Sequence, residues 1–129
     1  MHTHQIHFTL QQARHLLPHV RGIVEEIVSL KKHLDERGFD VYRHQYFGGM
    51  GPNGQKFFPE EMERMVARIR ELDTLGIQLK SLDEGLIDFP HIRENGEEVY
   101  LCWLLGEEDI DHWHSIPDGF AGRRSIEEL

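Results

Sequence analysis

The residues best equipped for chemistry lie in and around the stretch Glu98 to His114, EVYLCWLLGEEDIDHWH. His112 and His114 stand two apart, so an extended strand would carry both imidazoles on one face. A divalent metal there needs one or two further ligands, and Asp88, Glu107, Glu108, Asp109 and Asp111 supply carboxylates close in the chain. The metal-ligand candidates are therefore His114, Glu107, His112 and Asp88, while Glu107, His114 and Asp88 are the candidates for acid or base catalysis. The spacing H-E-x-x-H, which would place two ligands on one helical face, is absent. Downstream, DGFAGRR joins two glycines to Arg123, whose guanidinium suits a small carboxylate or phosphate held against backbone N–H groups. Each feature also has a plain alternative. The acidic run would keep a sheet edge soluble, and Arg123 would pair with Glu107 or Asp88.

Bulk composition narrows the partners. With 23 Asp and Glu against 14 Lys and Arg, the formal charge of -9 repels nucleic-acid backbones and anionic membranes. Arg64, Arg68 and Arg70 are too few among acids to form a basic stripe. One cysteine, Cys102, allows neither an internal disulfide nor a thiolate-cluster metal site, which fits a reducing cytoplasm. No apolar stretch approaches a membrane span, and the first residues do not read as a signal peptide. The N-terminal His2, His4 and His7 could bind metal loosely.

Elements that could position these residues follow from periodicity. Thr9 and Gln12 form a capping-box pair, and Val20, Ile23, Ile27, Leu30 and Leu34 recur at helical steps, predicting a helix over about 9–37. Pro18 predicts a kink near His15 or a separate leading turn. Residues 38–58, rich in glycine and aromatics, read as a loop in which Tyr42, Tyr46 and Phe47 dock. A second helix over about 59–83 begins at Pro59 and carries Met62, Val66, Ile69, Leu72, Leu75, Leu79 and Leu82, with Gly76 as a bend or close-approach point. From 86 to 124 the pattern becomes a β-hairpin turning at Asn95-Gly96, with Ile110 to His114 as a possible third strand and a C-terminal turn region. Alternation in VYLCWLL makes both faces apolar and buries Cys102, which is then an inert small hydrophobe.

Three blocks read together: LGIQLKSLDEGLIDFP, EEVYLCWLLGEEDIDHWH and DGFAGRR. With Phe8, Thr9, Ala13, Leu16, Leu17 and Pro18, they resemble the bacterial family known as domain of unknown function 2203, which has no assigned activity. The resemblance also rests on Lys80, Gly85, Asp88, Phe89 and Pro90, then on Trp103, Glu107, Trp113, His114, Gly119, Gly122 and Arg123. It implies that Lys80, Asp88, Glu107, His114 and Arg123 are the family's polar positions. Lys80, Trp103, Trp113 and Arg123 then stand as ligand-side candidates. His112 falls outside the family pattern, and Glu97 occupies a position where arginine is usual.

The expected architecture is one α+β domain over residues 1–129, a long antiparallel helical hairpin packed on a small antiparallel sheet of two or three strands. A homo-oligomer, with a dimer favoured, would bury the sheet's second apolar face. Two functions follow: a binding or self-assembly module in which Glu107, His114 and Arg123 form a structural network, or a small metal- or anion-dependent enzyme or ligand-binding protein using Asp88, Glu107, His114 and Arg123.

Overall fold

The computed structural model describes residues 2–44 and 59–129. Helix α1 spans Leu10–Glu36 and is fixed at its start by a reciprocal cap. The Gln12 N–H donates to the Thr9 hydroxyl oxygen and the Thr9 N–H donates to the Gln12 side-chain oxygen. There is no separate leading turn. The helix runs continuously through Pro18, which lies exposed on the solvent side. Ala13, Leu17, Val20, Ile23, Val24, Ile27 and Leu34 form its buried stripe.

Within the stretch expected to be a loop, Val41–His44 form a short helix, α2, with Val41 buried and Tyr42 half exposed at 49%. Tyr46 and Phe47 lie outside the described residues. Helix α3 spans Glu60–Leu75, shorter than the expected 59–83. Gly76 is its terminus, not a bend: at φ 89° it takes the left-handed cap conformation, and the Gly76 and Ile77 N–H groups close back onto Asp73 and Leu72. Leu79 and Leu82, which continued the apolar spacing by coincidence, lie beyond the helix. Arg37 pairs with Glu61, and Arg64 and Arg68 reach Glu26, so α1 and α3 pack together. The connection that would define them as a hairpin lies largely outside the described residues.

The sheet has five strands: β1 Gln78–Ser81, β2 Leu86–Ile92, β3 Glu98–Leu104, β4 His112–Ser115 and β5 Arg124–Ser125. They run in chain order with every neighbouring pair antiparallel. The fold is therefore α+β, but with five strands in place of two or three. The two that sequence patterning missed, β1 and β5, have four and two residues, too few to establish a period of two.

Strand alternation sorts the sheet into two faces. Ile87, Phe89, Val99, Leu101, Trp103 and Trp113 join the helices in one hydrophobic core. Asp88, Pro90, Tyr100, Cys102, His112 and His114 take the alternate positions and face outward. That outward face is nonetheless buried within the chain at its centre: Asp88, Cys102 and His114 are at most 2% exposed and Tyr100 5%. The N-terminal segment lies across one end. Phe8 N–H donates to the Pro90 carbonyl, His4 bonds the Tyr100 hydroxyl at 2.6 Å, and Glu98 accepts from the Thr3 and His4 N–H groups and His7. From the other side, the 3-10 turn Phe120–Gly122 brings in Arg123. Among the described residues, no helix is long and apolar enough to cross a membrane.

Candidate functional site

Strand register assembles a polar cluster on the outward face. Asp88 of β2 lies opposite Cys102 of β3, which in turn lies opposite His112 of β4, with His114 one pleat further along. His114 Nε2 reaches both Asp88 carboxylate oxygens at 3.1 Å, across the intervening strand β3. The pair is almost completely dry, with side-chain exposures of 3% and 2%.

The other imidazole nitrogen, Nδ1, stands 2.8 Å from the Ser115 carbonyl oxygen. An acceptor there requires Nδ1 to carry a proton, so the Nε2 bond to Asp88 is made by an imidazolium or by a nitrogen whose proton is shared with the carboxylate. Burial pushes the His114 pKa down, but the Asp88 and Ser115 hydrogen bonds outweigh it and the net shift is upward. The Tyr100 ring packs edge-on to His114 with centroids 5.4 Å apart. The Lys80 ammonium lies over the opposite partner, 4.9 Å from the Tyr100 ring centroid, so exposed Lys80 marks the edge of the cluster and is not inside it.

Cys102 fills the centre. Its thiol is pushed up to about 12, first by burial and then by the Asp88 carboxylate, with Arg123 acting in the opposite sense. A thiol held that high is protonated at neutral pH and is no nucleophile. His114 offers it no help as a base, because both ring nitrogens are already engaged.

A second ion pair borders the first. Arg123 Nη1 donates to Glu107 Oε1 at 3.0 Å, and the Leu104 N–H donates to the same oxygen at 2.7 Å. Burial raises the Glu107 pKa, but Arg123 and the Leu104 N–H more than offset this and hold it below the ordinary carboxylate range. His112 Nδ1 stands 3.5 Å from Glu107 Oε2, beyond a good hydrogen bond, and is the buried side-chain nitrogen without a partner among the described residues. Glu107 also lines a shallow cleft with Arg21, Glu25, Leu105, Gly106 and Glu108.

The sequence-derived candidates thus divide. Asp88, His114, Glu107, Arg123 and His112 are brought together, with Lys80 alongside. Trp103 and Trp113 are not. Both are buried in the helix-facing core, and their indole N–H groups donate to the carbonyls of Glu107 and Ser125. The N-terminal His4 and His7 hold the strap on Tyr100 and Glu98.

Cys102 is the participant that residue typing passed over as core filler. Its Sγ, one Asp88 oxygen and one His114 nitrogen all lie within 4.8 Å of one another. The signal was available only through register, since the three residues stand on three different strands and become neighbours by strand pairing alone.

No curated protein and no solved structure matches the chain. A family model does match, over residues 7–126, which takes in helices α1 to α3, all five strands and every member of the cluster. The chain belongs to the family described as "Uncharacterized conserved protein (DUF2203)".

Proposed function

We propose that the chain is a non-enzymatic binding module in which the outward cluster is a stabilising network and not a centre of turnover. The observation supporting this reading is that the two ion pairs of the cluster are satisfied internally: His114 uses both ring nitrogens, both Asp88 oxygens face His114 Nε2, and Arg123 and Glu107 neutralise one another. A general base needs a free lone pair within reach of substrate, and a nucleophile needs an ionised or activated atom. Neither His114 nor Cys102 meets that condition.

Removing one member of a buried ion pair strands the other in low dielectric, at a cost of about 3–5 kcal/mol. His114→Ala, melted in chelator-treated buffer, is therefore expected to lose about 10 °C or more of thermal stability. A variant melting within about 2 °C of the parent would remove the basis for a structural network.

The second reading, an anion- or metal-dependent enzyme or ligand-binding protein, draws on one observation. His112 Nδ1 is buried and unpartnered, 3.5 Å from Glu107, a residue that also lines the cleft. Under that reading His112→Ala leaves melting nearly unchanged and abolishes binding of a small ligand beside Glu107.

A further inference from the structure

We propose that Asp88, Cys102 and His114 form a binding site for one divalent transition-metal ion of zinc's size and ligand preference. The inference rests on the reading of the chain as a binding module and deepens it: the Asp88–His114 network is the metal-free arrangement of donors that a bound ion would take over.

Geometry is the first support. One donor atom from each residue lies within 4.8 Å of the other two. For a triangle of that largest edge, a central ion sits about 2.8 Å from each corner, against bond lengths of about 2.0–2.3 Å for zinc. Small side-chain rotations close that gap. The three donors stand on β2, β3 and β4, adjacent strands of one sheet, so the backbone that carries them is already in place.

Donor chemistry is the second. A carboxylate oxygen, a thiolate sulfur and an imidazole nitrogen are the mixed set that borderline-soft ions accept, and three protein ligands leave one position for water. A stabilising ion pair between Asp88 and His114 has no need of a thiol between its strands. On binding, the Cys102 thiol and His114 Nε2 each release a proton to solvent, and the Asp88 carboxylate and Cys102 thiolate then carry the two negative charges that a divalent ion cancels. The neighbouring Arg123 is cancelled by Glu107, 3.0 Å away.

Orientation is the third. His114 Nδ1 is held by the Ser115 carbonyl at 2.8 Å, which leaves Nε2 as the atom aimed at Asp88. Metal-binding histidines are oriented by an outer hydrogen bond of this kind. His112, the other member of the histidine pair, is not part of the set. Its Nδ1 faces Glu107, and its side chain is 37% exposed.

The test uses the full chain with cobalt(II), whose thiolate complexes absorb in the near ultraviolet. Because Cys102 is the single cysteine, such a band reports this site and not the surface histidines. Cobalt is supplied both to the folded protein and during refolding from denaturant, since the site lies under Tyr100. The expected result is one cobalt per chain with the thiolate band, lost in Cys102→Ser and retained in His112→Ala. Zinc affinity should fall in Asp88→Asn by at least the roughly 10–100-fold seen for outer-sphere substitutions. Circular dichroism verifies that each variant is folded. No thiolate band in the parent protein under either protocol, or equal cobalt retention by folded Cys102→Ser, would overturn the site. In that event the melting of His114→Ala in metal-free buffer still decides the network reading separately.

Discussion

At the scale of single residues, surroundings decide what each group can do, and Glu98 gives the clearest case after the cluster itself. Its carboxylate lies under the N-terminal segment, accepting from His7 and from the Thr3 and His4 N–H groups, with only 8% of the side chain exposed. Burial raises its pKa, but those donors overcome it and bring it to about 2. A carboxyl whose pKa is lower folded than unfolded stabilises the fold above the unfolded value, near 4.5, and loses that contribution as pH falls toward the folded one. The window is thus about pH 4.5 down to about 2. Comparing the parent with Glu98→Gln, the melting difference should be full at neutral pH and should shrink steadily across that window. A difference that stayed constant from pH 7 to about pH 2 would mean that the carboxylate charge is not what holds the segment. Legibility at this scale was uneven. Residue types alone picked out Asp88, Glu107, His114 and Arg123, and they assigned Cys102 correctly to a buried position. They could not place Cys102 beside Asp88, because alternation within one strand shows that both faces are buried but not which residues of the neighbouring strands stand opposite; here that pairing sets Asp88 and His114 on the same buried face as Cys102.

At the scale of elements, what was legible depended on how many residues carried the signal. Helix α1 spans 27 residues with a capping box and a long stripe, and it was read to within a residue or so at each end. Helix α3 was overextended, because Leu79 and Leu82 prolonged its spacing past the left-handed Gly76. The hairpin illustrates a finer limit. A two-residue turn at Asn95-Gly96 would pair Glu94 with Glu97 and bring Asp88 opposite Trp103. The chain instead closes with the Gly96 N–H donating to the Arg93 carbonyl and the Arg93 N–H to the Glu97 carbonyl. Gly96 at φ 90° completes a three-residue loop. That shift of one position sets Asp88 opposite Cys102, so the cluster exists only because of the longer turn. Pro18 offers an elemental test. It occupies an exposed helix-interior position, where proline removes a backbone hydrogen bond and costs about 3 kcal/mol relative to alanine. Pro18→Ala should raise stability by up to that amount in denaturant titration. Unchanged or lowered stability would mean that α1 needs proline's local geometry to fit the sheet.

At the scale of the molecule, the outward face of the sheet is closed by the parts of the described chain most distant from one another. Residues 3–8 cover the Glu98–Tyr100 end, and the turn leading to Arg123 covers the Cys102 end. Arg93 adds a tie to the C-terminus, donating to the Leu129 carbonyl while lying 4.6 Å over the Trp113 ring. The centre of the outward face is therefore covered by segments of the chain itself, which bury Tyr100 and Cys102. The N-terminal segment is also the weaker closure. It holds on through side-chain and terminal hydrogen bonds, with Ile6 46% exposed where it leans on Gly76, and it contributes no strand to the sheet. Contacts of that kind open more readily than a packed core. Deleting residues 2–7 should leave α1 and α3 protected from amide exchange, since their shared core lies on the opposite face. It should also speed exchange in β3 and β4, whose outward side loses the bonds to Glu98 and Tyr100. In the cobalt experiment the same deletion should accelerate loading of the folded protein without changing the amount bound, because the segment lies over Tyr100 and supplies none of the three donors. Exchange rates in β3 and β4 that matched the parent would show that the turn at Arg123 closes the face alone.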